Sequence, residues 1–453
     1  MHFSDKLKWW LLVPLLALAV FGFYWLGYET PRTDHLILFS VFGALILLCI
    51  LIYRLLPRKD WWILFSIGLG FRLVLLFATP SLSDDFYRFT WDGELLRDGY
   101  NVFAFVPDEY KENVSGDNQE KYDELLHAHS DAFPRGMNSK HYYSVYPAVN
   151  QWIFYSGTFV GSPNNGNLVL LRVWMLIAEV VSFFLLRALL RRQNRESLIA
   201  VYWWHPFVIL ELVGNLHFEG IAITFILATL YYAYKNKWFQ TAVMASLAIM
   251  TKLTPIFLLG ALFLQFHWKK WLLTSVVSVL LAVLFFRTIV DFETLSNFGE
   301  STDLFFNLFA FNSATYYGLP EIATKYHWHE PRETVAGILP YFSIILGAAV
   351  VFLQKRSMEW TLLLLFTIYF FFSPIVHPWY ITILIPLAVL TRTIYTLVWS
   401  VLIFGTYVSY GETYEIPEGW IYLEYGVVFL LAIIEMIPSW KLVNRMNTFL
   451  YPA

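Results

Sequence analysis

The chain has 453 residues, of which 58% are hydrophobic and only 14% charged, with a mean hydropathy of +0.54. Soluble globular proteins carry about 25% charged residues, so this composition excludes a soluble domain and predicts an all-α polytopic membrane protein. The net charge of −3 offers nothing to nucleic acid. The single cysteine, Cys49, lies in an apolar run and excludes intrachain disulfides and Cys-based metal sites.

Fourteen apolar runs follow one another: 9–28, 34–53, 61–79, 168–186, 198–213, 217–234, 239–251, 255–267, 271–287, 335–353, 360–373, 379–391, 394–410 and 421–437. Several approach the roughly 20 residues that cross a bilayer, which predicts about 12 to 14 crossings. Leu11 to Gly27 is followed by no convincing cleavage site and reads as a first anchor. Trp9, Trp10, Trp61, Trp62, Trp268 and Trp271 sit near run ends, as interfacial belts require. Eighteen of the 31 basic residues fall in connections that this run order places on one side. That side is the expected cytoplasm, with both termini. Segment 147–162 is the exception and reads as an interfacial or re-entrant helix. The whole chain is expected to form one unit in the plasma membrane (inner membrane), with 1–60 as an N-terminal pair of helices and 81–162 as an extracytoplasmic loop with interfacial helices. Within that loop, Asn113-Val114-Ser115 fits a glycosylation sequon of little weight. Residues 305–312, rich in Phe, read as a segment dipping back to the interface. No internal repeat is evident.

The polar motifs share the outer face. Ser83-Asp84-Asp85 follows the third run, with Ser83 or Asp84 as the N-cap of a short helix. On that helix Asp85, Arg88 and Asp92 stand at i, i+3 and i+7, on one face. Asn215, His217 and Glu219 form a very short outer turn after Trp204-His205-Pro206. Lys252 sits in Thr251-Lys252-Leu253-Thr254-Pro255, and His377 in His377-Pro378-Trp379-Tyr380. Arg172 lies near an outer helix end and Arg72 about two turns below the Asp pair. Each has a bland alternative: a turn pair for His217 and Glu219, snorkelling for Lys252, a helix cap for His377, a structural ion pair for Arg72. Their convergence at one depth favours a site, because ionisable groups at membrane depth are costly. Cations beside carboxylates suit a phosphorylated lipid donor held by Lys252, Arg172 or Arg72. A carboxylate would then take a proton from an acceptor hydroxyl. Asp85 is slightly favoured over Asp84, because Arg88 and Asp92 share its face. The pair also offers oxygen ligands for a divalent cation, Mg²⁺ or Mn²⁺, and no cofactor is otherwise implied.

These motifs resemble those of GT-C superfamily glycosyltransferases, in particular the bacterial mannosyltransferase group related to the first-mannose transferases of GPI synthesis. The resemblance runs over about 61–391 and rests on five motifs in order. These are Ser83-Asp84-Asp85 with Arg88 and Trp91-Asp92-Gly93; Tyr146-Pro147 with Gln151; Trp204-His205-Pro206 and Gly214-Asn215-Leu216-His217-Phe218-Glu219; Thr251-Lys252-Leu253-Thr254-Pro255; and His377-Pro378-Trp379-Tyr380. It implies a GT-C-like bundle, a polyprenyl-phosphate-linked sugar donor, a glycan or glycolipid acceptor, an Asp base in the first outer loop and inversion at the anomeric carbon. Tyr146, Gln151 and Tyr380 join the candidate substrate-binding residues on this ground. Glu219 stands where the group has Asp, Val102 where it has Pro, and two extra helices precede the usual first one. A transporter or flippase of lipid-linked sugars is the competing reading, but it would set ionisable groups near the midplane in repeated broken helices.

Overall fold

The computed structural model describes residues 5–56, 60–104, 106–107, 137–160, 166–307, 310–353, 356–411 and 415–437. The sequon at Asn113 lies outside them, as do residues 105 and 108–136 of the 81–146 loop. The described residues hold nineteen α-helices and no strand. Their only β-type pairing is a bridge between Phe311 and Ile375. The protein is an all-α polytopic membrane protein.

α1 (Asp5–Tyr24) runs into a π-helical turn at Trp25–Glu29. α2 (His35–Leu55) returns beside it, its N-cap Asp34 accepting from Ile37 N at 3.2 Å. α3 (Trp61–Val74) is capped by Asp60. α4 (Asp85–Arg97) carries the acidic motif, and α5 (Ala148–Gly157) is the re-entrant candidate. Ten residues rise about 15 Å, half of a hydrocarbon core of ~30 Å. α6 is the long helix Gly166–Arg192. α7 (Ile199–Trp203) and α8 (Pro206–Val208, continued as a π-helix by Ile209–Gly214) make a pair bent by 54°. There follow α9 (Glu219–Tyr234), α10 (Trp238–Ile249), α11 (Phe257–Ala261), α12 (Trp268–Phe286), α13 (Leu295–Asn307), α14 (Ala314–Lys325) and α15 (Pro331–Leu353). α16 (Met358–Phe372), α17 (Leu384–Thr391), α18 (Tyr395–Leu402) and α19 (Glu418–Met436) complete the series.

Every apolar run of the sequence is helical. Six helices are long and apolar enough to cross a membrane, and the bent pair makes a seventh. The others are apolar helices of 10–17 residues, so full-length crossings are fewer than the run count suggests. Proline is one physical reason. Pro206, Pro255 and Pro378 each stand at the first or second position of a new helical segment, where the missing N–H costs nothing. Each interrupts an apolar stretch at one of the polar motifs. α12 and α15 are the least covered spans, only 17% buried, and present Leu280, Leu284, Ile344 and Ile345 outward.

Contacts sort the connections into two ends. At one, Arg187 pairs with Glu196 at 2.9 Å and covers the Trp61 ring. There Arg192 covers Tyr234, Tyr234 donates to Glu359, and Lys270 donates to Asn236 O. This is the basic end. At the other, Val149 N donates to Met250 O, Asn150 to Thr251 O, and Phe311 N to Pro374 O. Asp85, Asn215, His217, Glu219, Lys252 and His377 lie at this second end, whereas Trp204-His205-Pro206 stands at the break of the bent pair, with Trp204 Nε1 donating to Leu64 O near the start of α3.

Candidate active site

The segment entering α4 is gripped from three directions. Asn215 Oδ1 accepts from Ser81 N and Leu82 N at 3.3 and 3.1 Å, and Tyr410 donates to Leu82 O at 2.9 Å. Asp84 occupies the N-cap position but its side chain does not cap. Instead both of its oxygens accept from Arg32 Nη1, each at 2.9 Å. Ser83 Oγ takes Asp85 N at 3.2 Å. The two adjacent carboxylates therefore part, Asp84 toward Arg32 and Asp85 into the cleft. There Asp85 accepts from Tyr146 OH at 3.3 Å and from Asn138 Nδ2 at 3.5 Å. Burial raises the Asp85 carboxyl above its ordinary range, opposed by His217 and by the two hydrogen bonds. Burial and the Asp85 charge also hold the Tyr146 hydroxyl protonated, well above its usual range.

Behind this edge, α4 is fixed by a buried network. Arg88 Nε meets Asp92 Oδ1 at 2.7 Å, one helical turn away. Asp92 Oδ2 accepts from Ser144 at 2.5 Å and from Gln151 at 2.8 Å. Arg88 Nη1 reaches Ser139 O and Tyr142 O. These charges are at most 2% exposed and tie the 137–146 strap to α4 and α5. Arg88, Asp92 and Gln151 thus position the loop that carries Asn138 and Tyr146, and none of them lines the cleft. Phe89 stacks on Phe154 at 4.7 Å and both meet Phe218 edge-on, which joins α4 and α5 to the turn before α9. Gly93 permits this approach: a Cβ there would stand 2.5 Å from Phe154 O.

The opposite wall comes from three other connections. Leu216 adopts φ +61°, a strained value for a branched residue, between Asn215 and His217. The His217 ring stacks on Trp379 at 4.0 Å. Its Nδ1 lies 3.1 Å from Glu211 Oε2. Neither ring nitrogen has an aligned hydrogen bond among the described residues. Glu211 is buried in the π-helical turn of α8 and accepts from Tyr407 at 2.8 Å. Glu219, in the first turn of α9, is ion-paired with Lys252. Lys252 Nζ also sits 3.7 Å over the Tyr380 ring. Burial lowers the Lys252 pKa, while Glu219 and Asp85 oppose the shift. His377 stacks against Trp379 at 4.5 Å and packs beside Phe311. Burial, helped by Lys252, pushes it down to about 3, so it is neutral.

Two of the expected cations stand elsewhere. Arg72 is fully buried, meets Glu179 at 2.6 Å, donates to Gly68 O and Trp203 O, and lies flat on the Trp203 ring. Tyr202 completes the Glu179 shell at 2.5 Å. Arg172 is equally buried and donates to three carbonyls, Val213, Leu76 and Gly214, at the frayed ends of α3 and α8. An arginine spent on carbonyls that no helix satisfies is a clamp. Both guanidiniums are buried and engaged by the protein's own carboxylate and carbonyl groups, which favours a packing role over the phosphate contact expected of them.

Sequence reasoning passed over Arg32, Asn138, Glu211, Tyr407 and Tyr410. Arg32 had a signal: it is a basic residue in a short connection on the side that the other connections leave poor in Lys and Arg. Glu211 had one too, as a carboxylate inside an apolar run. As to metals, no group of three or more His, Cys, Asp or Glu among the described residues is arranged to hold an ion. Asp84 is engaged by a guanidinium.

No curated protein and no solved structure matches the chain. A family model does, over α5 to the start of α12, a stretch that includes Asn215, His217, Glu219 and Lys252 but neither Asp85 nor His377. Residues 147–268 match the MptA_B family, described as alpha-(1->6)-mannopyranosyltransferase, N-terminal domain, and that similarity supports glycosyltransferase activity with mannose.

Proposed function

We propose that the protein is a GT-C-type inverting mannosyltransferase that uses a polyprenyl-phosphate-mannose donor and a glycan or glycolipid acceptor at the outer face of the plasma membrane. One observation carries this reading. Asp85, Tyr146, His217, the Glu219–Lys252 pair, His377 and Tyr380 come from five separate segments and meet at the end opposite the basic connections. Asp85 is the base, since Asp84 is occupied by Arg32. It takes the proton of the acceptor hydroxyl, whose oxygen forms a bond to the anomeric carbon. The bond from that carbon to the phosphate oxygen breaks, and polyprenyl phosphate leaves with the electron pair. Lys252 holds the phosphate: among the described residues it donates only to Glu219, which leaves two ammonium N–H groups for the ligand. His217, whose Nδ1 faces Glu211 and whose Nε2 has no hydrogen-bond partner among the described residues, stands beside the same charges.

An apolar cavity of about 440 Å³ supports the lipid donor. It lies between α11, α15 and α16 and ends at Ile256, Tyr316, Ser373 and Pro374, within a few residues of Lys252 and His377. The one-sidedness of Lys and Arg supports the outer placement. A transporter is disfavoured because the uncommitted charges sit at one end, while the ion pair deeper in the bundle is closed.

The test is transfer of labelled mannose from a synthetic polyprenyl-phosphate-mannose by the purified protein in lipid nanodiscs. Stereospecific transfer with inversion supports the reading. Vesicle-to-vesicle movement of the intact donor without transfer overturns it in favour of a flippase.

A further inference from the structure

The N-terminal hairpin lies outside the stretch that resembles a known family, yet it reaches the site. Its outer turn, residues 30–34, brings Arg32 onto both oxygens of Asp84 at 2.9 Å. The same guanidinium lies 4.4 Å over the Tyr410 ring, and Tyr410 in turn holds Leu82 O. Asn215 holds the N–H groups of Ser81 and Leu82 from the other side. The segment 81–84 is thereby clamped between α1–α2, the turn before α9 and the last residue of the 3₁₀ helix Ile403–Tyr410 that continues α18, directly before Asp85. Two adjacent carboxylates at a membrane surface would otherwise repel each other or attract a divalent cation. Here a side chain of the same protein supplies the positive charge.

We propose that Arg32 is a positioning residue of the active site, which takes the place of a cation at Asp84 and fixes the backbone that aims Asp85. This rests on the function proposed above. It makes the extra N-terminal helices part of the catalytic unit and predicts that transfer needs no divalent ion at the Asp pair. The ion pair is half-exposed, 34% and 26% at its two side chains, so its contribution to global stability is small. Its effect falls on geometry, where a displacement of about 1 Å costs up to about 10²-fold in rate.

The experiment compares wild type, Arg32→Lys, Arg32→Gln, Asp84→Asn and the Arg32→Gln/Asp84→Asn double variant. Arg32→Gln is expected to lower kcat about tenfold while the donor KM moves less than about twofold. Arg32→Lys recovers most of the loss. The double variant is no slower than Arg32→Gln, because the carboxylate left unpaired is gone. Wild-type transfer is unchanged in EDTA. Normal turnover in Arg32→Gln overturns the proposal. So does EDTA inhibition that Mn²⁺ relieves in the wild type but not in Asp84→Asn. Thermal melting of the same set needs no substrate: if the pair is coupled, the double variant melts no lower than the worse single one. Should the wild type transfer no sugar from any polyprenyl-phosphate donor, the proposed function falls. Melting then decides alone, and additive losses overturn the Arg32–Asp84 coupling.

Discussion

Two acid–base pairs in this protein look alike in sequence and differ in kind. Arg72–Glu179 lies within the helix packing, both side chains 0% exposed and the donors spent on carboxylate and carbonyls. Glu219–Lys252 lies at the polar end, with Lys252 28% exposed over an aromatic face and beside Asp85. The first pair is closed and the second is open. In a low-dielectric protein, a charge whose partners are complete can do little but hold helices together. One with unfilled donors at a cleft can bind. What separates scaffold from site here is the count of unfilled hydrogen-bond positions.

Breaking the closed pair is expected to give the largest effect, and on folding. Arg72→Met leaves the Glu179 carboxyl buried without its cation and, among the described residues, held only by Tyr202. Removing one partner of a buried pair costs about 3–5 kcal/mol. Thermal melting in detergent should show a large drop in Tm or loss of the monodisperse species. Arg72→Met combined with Glu179→Gln should recover much of it, since no buried charge is then orphaned. If Arg72→Met melts normally but loses donor affinity, the assignment of the two pairs is reversed.

Asp85→Asn comes next and acts on chemistry. General-base catalysis contributes about 10²–10⁴-fold, so turnover should fall at least about 10²-fold, with donor binding and Tm retained. Transfer at a near-normal rate would leave Asp85 as a loop anchor for Asn138 and Tyr146. Lys252→Met should follow. A charge-assisted contact is worth roughly 1.5–3 kcal/mol, so donor use should weaken by at least about tenfold in a folded protein. Unchanged kcat and KM would mean that Lys252 serves only Glu219.

The helices were legible because runs at membrane depth are apolar whether they face lipid or the bundle interior: all fourteen runs are helical over most of their length. Their lengths were less so. The run 61–79 includes Leu75 to Thr79, which is apolar but turns outside α3, and hydropathy does not register a turn. In the candidate site, His217, Glu219, Lys252 and His377 were read from polar residues standing where apolar ones belong. That criterion cannot tell an open charge from a closed one, which is why Arg72 and Arg172 entered the same list. Their partners, Glu179 and the carbonyls of Val213, Leu76 and Gly214, lie 41 to 107 residues away, and pairing at that separation leaves no local pattern. Arg88 and Asp92 were placed beside Asp85 by helical spacing, and Gln151 by the resemblance. The spacing held for Arg88 and Asp92, but the strap 137–146 covers that face, and no motif announces a strap.

The smallest effect tests the environment of Asp85 itself. Its carboxyl is raised by burial and pulled back by His217, Asn138 and Tyr146. Glu219 pushes the same way as burial, Lys252 is charged nearby, and Tyr380, Tyr407 and Tyr410 feel its charge. A base works only when deprotonated, so transfer should fail on the acid side as pH drops through this raised pKa. The acid limb should therefore lie above the ordinary Asp value of about 3.9. Tyr146→Phe removes one donor to the charged form, which favours the protonated carboxyl. The limb should then move to higher pH, by up to about one unit for a contact worth roughly 1 kcal/mol. The plateau rate at high pH should change little, because Asp85 is ionised there in both proteins. A pH–rate profile of kcat/KM for the two proteins measures this. A limb that moves to lower pH, or one at the same pH in Asp85→Glu and Tyr146→Phe alike, would assign the titration to another group.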